Sequence, residues 1–231
     1  PREWRDSVVR LEGPVVLQMQ RLFLENWIFT TGEFLDGESQ FPAATRAGEV
    51  KAQAVGSSRT SQLSLAKLHY YMPIKAARQQ VWIENAYFIP DREFVAALCG
   101  AARRGVDVRV LVPGRHTDLK TVRYSGRSHY RKLLEAGVRL YEFQPTMLHS
   151  KVMLVDDLWS SIGSINFTSR SMESNAEANV ALYDRDFAGR VRASIEADLA
   201  RSQQILLERW KQRGLFERVK EGYFSLFAGL F

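Results

Sequence analysis

A histidine and a lysine two positions apart open the segment whose residue types are best suited to chemistry. Alternate residues of a β-strand share one face, so His149 and Lys151 should project together. A second pair with the same spacing, Ser164 and Asn166, should share a face in the same way. An imidazole, an ammonium, a hydroxyl and a carboxamide would then meet in one pocket. The full pattern comprises, at fixed spacing, His149, Lys151, Asp156, Gly163, Ser164 and Asn166.

These groups suit chemistry on a phosphodiester. An imidazole can attack phosphorus or move a proton near neutral pH. Lys151 and Asn166 can neutralise and hydrogen-bond phosphoryl oxygens as charge builds on them. Gly163 permits close approach of the backbone. The alternative is a surface histidine beside a lysine on an edge strand, and the fixed identities of the whole pattern disfavour it.

The spacing HxKxxxxD followed by GSxN resembles the signature of the phospholipase D superfamily. Flanking segments resemble bacterial cardiolipin synthases, and the resemblance runs from about residue 4 to about residue 215. Two positions depart from the usual pattern without touching the motif: Thr168 stands where many relatives carry Asp, and Ser150 where many carry Ala. The segments that carry the resemblance are residues 10–14, 84–90, 102–109 and 134–139.

The resemblance implies a role for each residue of the motif. In the superfamily two such motifs meet across a pseudo-two-fold axis, where one histidine becomes phosphorylated and the other acts as general acid and base. His149, in a second motif, would be the acid and base, while Lys151 and Asn166 hold the phosphate. Ser164 would support them, and Asp156 would order the motif. No metal ion and no cofactor are implied.

The residue Glu177 stands where the family has a carboxylate that orients the catalytic histidine through its other ring nitrogen. An exposed charge on a strand explains Glu177 equally well. The reaction implied by the family is transfer of a phosphatidyl group between two phosphatidylglycerol molecules through a phosphohistidine, which yields cardiolipin and glycerol. Hydrolysis by a phospholipase D, or cleavage of nucleic acid by a nuclease, is the alternative.

Composition restricts the partners and the class of protein. The 231 residues are 45% hydrophobic and 25% charged, which is typical of a globular chain with a core. A net charge of +6 favours anionic partners: an anionic membrane surface, a phosphorylated substrate or nucleic acid. The single cysteine, Cys99, excludes a disulfide within the chain and a cysteine-based metal site. No run of apolar residues is long enough for a transmembrane helix.

Short apolar strands alternate with helices, which predicts an α/β fold with a mixed sheet covered by helices on both faces. The fold would be one half of a phospholipase D-like pair. We expect a strand at residues 7–11 and a helix over 14–31 that buries Val15, Met19, Phe23 and Trp27. Single helices are predicted over residues 124–136 and 186–204, and Asp91 should cap another helix.

A weak internal repeat suggests how the chain is divided. Shifted by about 172 residues, the stripe that begins at Val15 overlies a similar stripe that begins at Phe187. We therefore expect residues 1–32 to be the tail of a preceding half, 33–48 a linker, 49–204 the second catalytic half, and 205–231 an amphipathic C-terminal segment. His69, His116 and His129 lack the Lys and Asp of the motif, so the chain should supply half a site and depend on a first half upstream.

The C-terminal segment mixes aromatic and basic residues on either side of Gly214. That pattern suits a helix in a membrane interface, and packing on the first half explains it equally well. The aromatic residues count against nucleic acid as the partner. We expect a membrane-associated protein at the bacterial cytoplasmic membrane, with phosphatidylglycerol as its phospholipid substrate.

Overall fold

The computed structural model describes residues 3–57 and 64–226. The strands in that part of the chain are β1 (Trp4–Arg5), β2 (Lys51–Ser57), β3 (Gln80–Asn85), β4 (Asp107–Pro113), β5 (Arg139–Phe143), β6 (Met147–Leu148), β7 (Lys151–Val155), β8 (Trp159–Gly163), β9 (Glu177–Tyr183) and β10 (Ser202–Ile205). The helices are α1 (Val15–Thr31), α2 (Leu65–Ala76), α3 (Arg92–Arg103), α4 (Lys120–Arg127), α5 (Tyr130–Glu135), α6 (Ser169–Glu173), α7 (Arg185–Leu199), α8 (Leu207–Lys211) and α9 (Leu215–Ser225).

Eight strands form one mixed sheet in the order β10-β5-β4-β3-β7-β8-β9-β2. Strands β3, β4 and β5 run parallel to one another, and each remaining neighbour in the sheet pairs antiparallel. The central strands β3 and β7 are buried along their whole length. Because both of their faces are covered, the two strands carry the apolar runs 81–83 and 152–155.

Helices cover both faces of this sheet and bury its apolar side chains. On one face, α2, α3, α5 and α8 contribute Tyr70, Leu98, Leu133 and Trp210 to the larger core. On the other face, Val191 and Ile195 of α7 pack against Trp82 of β3 and its neighbours. Burial of each such side chain stabilises the fold by roughly 1.5–3 kcal/mol. The predicted fold class, a mixed sheet between two helical layers, is confirmed.

The structure corrects three predicted elements. Residues 7–11 form no strand, because Val9 and Leu11 bury their side chains beside α7 and β9 without a strand to pair with. The helix expected over 124–136 is broken into α4 and α5 at Ser128, whose hydroxyl donates 2.6 Å to the carbonyl of Ser125. The helix expected over 186–204 ends at Leu199, and β10 follows because residues 202–205 pair with the edge of β5.

The helix α1 has nearly the predicted bounds and ends at Gly32, which adopts the left-handed conformation at φ 72°. Its buried stripe is shifted, because Val15 and Leu24 are buried while Phe23 is 55% exposed. The predicted cap of α3 is confirmed: the Asp91 carboxylate accepts a 2.9 Å hydrogen bond from the backbone N–H of Phe94.

A buried ion pair attaches the N-terminal segment to the sheet. The Arg5 guanidinium lies 2.7 Å from the carboxylate of Asp198 on α7, whose side chain is 1% exposed. It also donates a 2.8 Å hydrogen bond to Ser194. Beside this pair, burial and the charge of Asp198 hold the pKa of Glu84 far above its usual range. Glu84 therefore keeps its proton, and Arg5 faces one buried charge rather than two.

The C-terminal helices are held by a second group of buried charges. The Arg127 guanidinium contacts the carboxylates of Glu142 at 2.5 Å and Glu221 of α9 at 2.9 Å. Arg213 also pairs with Glu221 and lies over the ring of Trp210. Helix α9 is therefore held on α4 by the ion pair between Glu221 and Arg127. No helix in the described part of the chain combines the length and the apolar character that crossing a bilayer requires.

The pair between Arg5 and Asp198 should contribute strongly to stability. Arg5→Ala leaves the Asp198 carboxylate buried without its partner, so we expect the free energy of unfolding to fall by about 3–5 kcal/mol. Urea denaturation of the 231-residue chain measures this change. Arg10→Ala is the matched control, because Arg10 is 87% exposed and pairs with the exposed Glu12. That control should cost less than about 1 kcal/mol. Equal losses in the two variants would contradict a structural role for the buried pair.

Candidate active site

Backbone hydrogen bonds on both sides hold His149 between β6 and β7. Its N–H donates a 2.7 Å hydrogen bond to the carbonyl of Arg5, which extends the parallel pairing of β1 with β6. The carbonyl of the next residue, Ser150, accepts from the N–H of Ala86 at 3.1 Å. Lys151 then begins β7 opposite Asn85 at the end of β3. The histidine is thereby fixed at one end of the two central strands, where β3 ends and β7 begins.

The His149 ring has a polar partner at each nitrogen. Its Nε2 lies 2.9 Å from the Nζ of Lys151, and its Nδ1 lies 2.9 Å from a carboxylate oxygen of Asp6. An ammonium can only donate, so Nε2 accepts from Lys151 and the proton resides on Nδ1, where it is donated to Asp6. The predicted convergence of His149 and Lys151 is found.

The Lys151 ammonium is buried, with 6% of the residue exposed. Burial lowers its pKa from 10.5 to about 8, and the negative charges of Asp6, Glu177 and Asp118 partly oppose that shift. The ammonium also donates a 2.5 Å hydrogen bond to the backbone carbonyl of His149. A desolvated cation that is still protonated near neutral pH is well suited to bind a phosphodiester, whose charge replaces the lost water.

The Asn166 side chain lies in a buried position after β8, where its oxygen has no hydrogen-bond partner among the described residues. Its backbone N–H donates 2.9 Å to Ser171. An unpaired buried amide oxygen is uncommon and is available only to a hydrogen-bond donor, so a phosphoryl oxygen must be bound by the amide NH₂ of Asn166 instead. The prediction that Ser164 and Asn166 share a strand face is wrong, because β8 ends at Gly163, and the Ser164 hydroxyl accepts a 3.1 Å hydrogen bond from the N–H of Ala178. At Gly163, any added Cβ would collide with the Ala178 carbonyl and the Asn179 side chain.

The Asp156 carboxylate lies at the far end of β7, roughly 16 Å of strand away from Lys151. It accepts hydrogen bonds from the backbone N–H groups of Arg78 at 2.9 Å, Gln79 at 2.8 Å and Gln80 at 3.0 Å. Asp156 and Asp157 both have positive φ, 51° and 49°, as a tight turn between β7 and β8 requires. Asp156 therefore ties this turn to the start of β3 and does not reach the His149 ring.

The carboxylate at the second nitrogen of His149 belongs to Asp6, not to Glu177 as the resemblance implied. Glu177 begins β9 and accepts hydrogen bonds from Ser171 at 2.6 Å and Asn175 at 3.3 Å. Asp6 and His149 are 143 positions apart in the chain. The sequence held no local signal for Asp6, since only the docking of β1 on β6 brings it to the ring.

Two aromatic rings border the histidine and one of them contacts a carboxylate, and the sequence did not single them out. The ring of Trp4 lies 4.7 Å from that of His149, centroid to centroid, and the ring of Tyr87 lies 6.3 Å away. The Tyr87 hydroxyl donates 2.5 Å to Asp118, in the loop between β4 and α4. Within the described residues, no three His, Cys, Asp or Glu side chains are arranged to hold a metal ion.

Comparisons with known proteins identify the family. The family described as "Cardiolipin synthase, PLD-like domain" matches residues 71–199. Cardiolipin synthase 2 of Bacillus anthracis is 37% identical over 229 residues, which cover 98% of this chain and 44% of the relative. The probable cardiolipin synthase YwiE of Bacillus subtilis is 32% identical and is covered over 45% of its length. The chain thus spans a little under half of these relatives.

Two solved structures share the fold at low sequence identity. The phospholipase D family member Nuc from Salmonella typhimurium has a TM-score of 0.58 and 21% identity, over 68% of this chain and 99% of Nuc. The phosphatidylserine synthase of Haemophilus influenzae has a TM-score of 0.64 and 13% identity, over 89% of this chain and 50% of that structure. These two structures show the fold, and the family match over residues 71–199 shows that the chain belongs to the phospholipase D-like family of cardiolipin synthases.

Proposed function

We propose that this chain supplies the second half of an active site that transfers a phosphatidyl group from one phosphatidylglycerol molecule to another. The observation that carries the proposal is His149, held between Asp6 and the buried ammonium of Lys151. The relatives that cover nearly the whole chain are named as cardiolipin synthases, which supports the lipid substrate. The products are cardiolipin and glycerol.

Two displacements at phosphorus account for the reaction. In the first displacement His149 is the imidazolium, protonated at both nitrogens, and Lys151 turns from Nε2 to the phosphate. A histidine from an upstream motif attacks the donor, forming a P–N bond as the P–O bond to glycerol breaks, and His149 gives the leaving oxygen its Nε2 proton and keeps the Nδ1 proton. A hydroxyl of the second phosphatidylglycerol then attacks phosphorus and loses its proton to Nε2 of His149 as the P–N bond breaks. Asp6 steadies the ring and balances the imidazolium charge. Lys151 and Asn166 bind the phosphoryl oxygens, with Ser164 beside them.

We extend the pseudo-two-fold relation to the orienting carboxylates. Asp6 belongs to residues 1–32, the proposed tail of the preceding half, yet it contacts the histidine of the second half. By the same symmetry, Glu177 of the second half orients the histidine of the first. The division into residues 1–32, 33–48, 49–204 and 205–231 remains part of this proposal.

An anionic membrane surface is the partner we propose for the C-terminal helix. Glu221 holds one side of α9 against Arg127, while Val219 on the helix and Leu226 just after its end are 61% and 79% exposed. Lys220 of α9 lies 4.0 Å from the ring of Tyr124, close to the other basic residues of α4. An apolar helix face flanked by cations suits the interface of an anionic bilayer, such as the bacterial cytoplasmic membrane. Phe227 to Phe231 lie outside the described residues.

Cardiolipin formation tests the proposal directly. The full-length protein, with its upstream half, is incubated with phosphatidylglycerol vesicles, and the lipids are separated. We expect cardiolipin and glycerol in equal amounts. Phosphatidic acid without cardiolipin would indicate a hydrolase, and cleavage of DNA without lipid turnover would indicate a nuclease.

The 231-residue chain alone should form no cardiolipin, because its sequence carries the motif once.

Asp6 should matter to catalysis more than its exposed position suggests. In the full-length protein, Asp6→Asn removes the charge that holds the His149 ring, so kcat should fall on the order of 100-fold to 10,000-fold. His149→Asn should abolish turnover while the melting temperature changes little. Asp36→Asn, in an exposed segment without helix or strand, is the matched control. Initial rates on phosphatidylglycerol vesicles give the comparison. A wild-type rate in Asp6→Asn would remove Asp6 from the mechanism.

The lowered pKa of Lys151 predicts an alkaline limit on activity. Only the protonated form binds phosphate, so kcat/KM should fall as pH rises through about 8, the value that burial imposes. Lys151→Arg keeps its charge to much higher pH, so whatever activity it retains should lack this limb. The pH profile of the full-length protein measures the effect. An identical alkaline limb in Lys151→Arg would assign it to another group.

The same shift predicts how stability depends on pH. The folded pKa of Lys151 lies below the unfolded value, so folding releases a proton between about pH 8 and pH 10.5. The folded state is therefore favoured as pH rises through that range. Lys151→Met should unfold at higher urea than wild type at pH 7, and the difference should narrow at pH 10. A difference that does not change with pH would contradict the burial of the charge.

A further inference from the structure

The side chains of Trp4 and Tyr87 border His149, Asp118 contacts the Tyr87 hydroxyl, and none of the three takes part in the transfer chemistry described above. They come from separate parts of the chain that meet at one edge of the sheet: β1, the end of β3 and the loop after β4. Trp4 and Asp118 are both exposed, and Tyr87 is half-buried. All three are therefore within reach of a ligand that enters beside the His149 ring.

The position of the Asp118 carboxylate is defined by two hydrogen bonds. One oxygen accepts the Tyr87 hydroxyl at 2.5 Å, and the other accepts the N–H of Leu119 at 2.8 Å. Each carboxylate oxygen has two lone pairs, so both can accept a further donor. The negative charge of Asp118, after those of Asp6 and Glu177, opposes the lowering of the Lys151 pKa by burial.

A carboxylate at this place is unfavourable for a phosphodiester, because like charges repel. It suits a ligand that brings hydroxyl groups, since a carboxylate only accepts hydrogen bonds. Trp4 and Tyr87 add aromatic surfaces that can cover the C–H groups of a small polyol. Aromatic surface combined with a carboxylate fits a hydroxylated alkyl group better than it fits a phosphate.

We propose that Asp118, Tyr87 and Trp4 form a subsite for the acceptor, binding the glycerol group of the second phosphatidylglycerol through the hydroxyl that does not react. The inference rests on the proposed function and adds a choice of acceptor to it. The reacting hydroxyl oxygen forms the new P–O bond as the P–N bond breaks, and its proton goes to Nε2 of His149. The neighbouring hydroxyl meanwhile donates to Asp118. An alcohol held in this way outcompetes water for the phosphohistidine.

The alternative is that Asp118 only balances the charge of Lys151. That role would change the rate with every acceptor by the same factor, whereas an acceptor subsite changes the preference among acceptors. A site that hydrogen-bonds a hydroxyl discriminates against analogues without it, because its polar group is left unpaired. The ratio of two products formed from a common intermediate separates these roles, because any effect on the donor step cancels.

The experiment gives the full-length protein a choice of acceptor. The donor is phosphatidyl-p-nitrophenol in detergent micelles, and glycerol and 1-propanol are present at equal concentration. Release of nitrophenolate reports cleavage of the donor. The ratio of phosphatidylglycerol to phosphatidylpropanol reports the choice of acceptor. Wild type should favour glycerol, and Asp118→Ala and Tyr87→Phe should lower that ratio about tenfold or more. Glu135→Gln and Tyr183→Phe, at exposed positions away from His149, should leave it unchanged.

An unchanged ratio in both Asp118→Ala and Tyr87→Phe would overturn the subsite while leaving the proposed transfer intact. Loss of all nitrophenolate release in both variants would assign the pair to the donor step and would also overturn it. No release by the wild-type protein would contradict the proposed function itself. A ratio that falls in Tyr87→Phe alone would move the subsite from Asp118 to the Tyr87 hydroxyl and would overturn the role of the carboxylate.

Discussion

The buried ion pair between Arg5 and Asp198 determines where the N-terminal segment lies, and the site depends on that position. Because Arg5 is held at 2.7 Å from Asp198, its carbonyl meets the N–H of His149, and the next residue reaches the ring. Asp6 then accepts the Nδ1 proton, which leaves Nε2 as the nitrogen that faces Lys151. One desolvated contact thus selects the tautomer of the histidine. A buried charge is a costly anchor, and its cost is met only when its partner is in place.

Two ionisable side chains are buried at this end of the sheet, although burying them costs stability. Lys151 is buried with a pKa lowered to about 8, and Glu84 is buried with its proton retained. Apolar residues at either position would be easier to bury. Functional sites commonly carry such local costs because a preorganised charge acts on substrate without waiting for solvent to reorganise. The apolar layers on either side, built by α7 on one face and α2 and α3 on the other, supply the stability that offsets them.

The same scaffold appears in Nuc and in a phosphatidylserine synthase, at 21% and 13% identity. A shared fold does not determine a substrate, so the choice of substrate must lie in groups around the motif rather than in the motif itself. In this chain the groups that we propose for that choice are Trp4, Tyr87 and Asp118, together with the exposed face of α9. These three residues come from loops and strand ends, which can vary while the sheet that fixes the histidine stays the same.

The sequence by itself determined the motif, the cap at Asp91 and the mixed α/β class. Each of these depends on residues close together in the chain, whose spacing sets which side chains share a face. Only the tertiary structure decided that Asp6 rather than Glu177 meets His149, that residues 202–205 form a strand, and that Asp118 contacts Tyr87. These contacts join residues far apart in sequence, and no local pattern encodes them. They form because the backbone groups at the edge of β5 need hydrogen-bond partners and the buried carboxylate of Asp198 needs a cation. Both partners arrive only when the whole chain has packed.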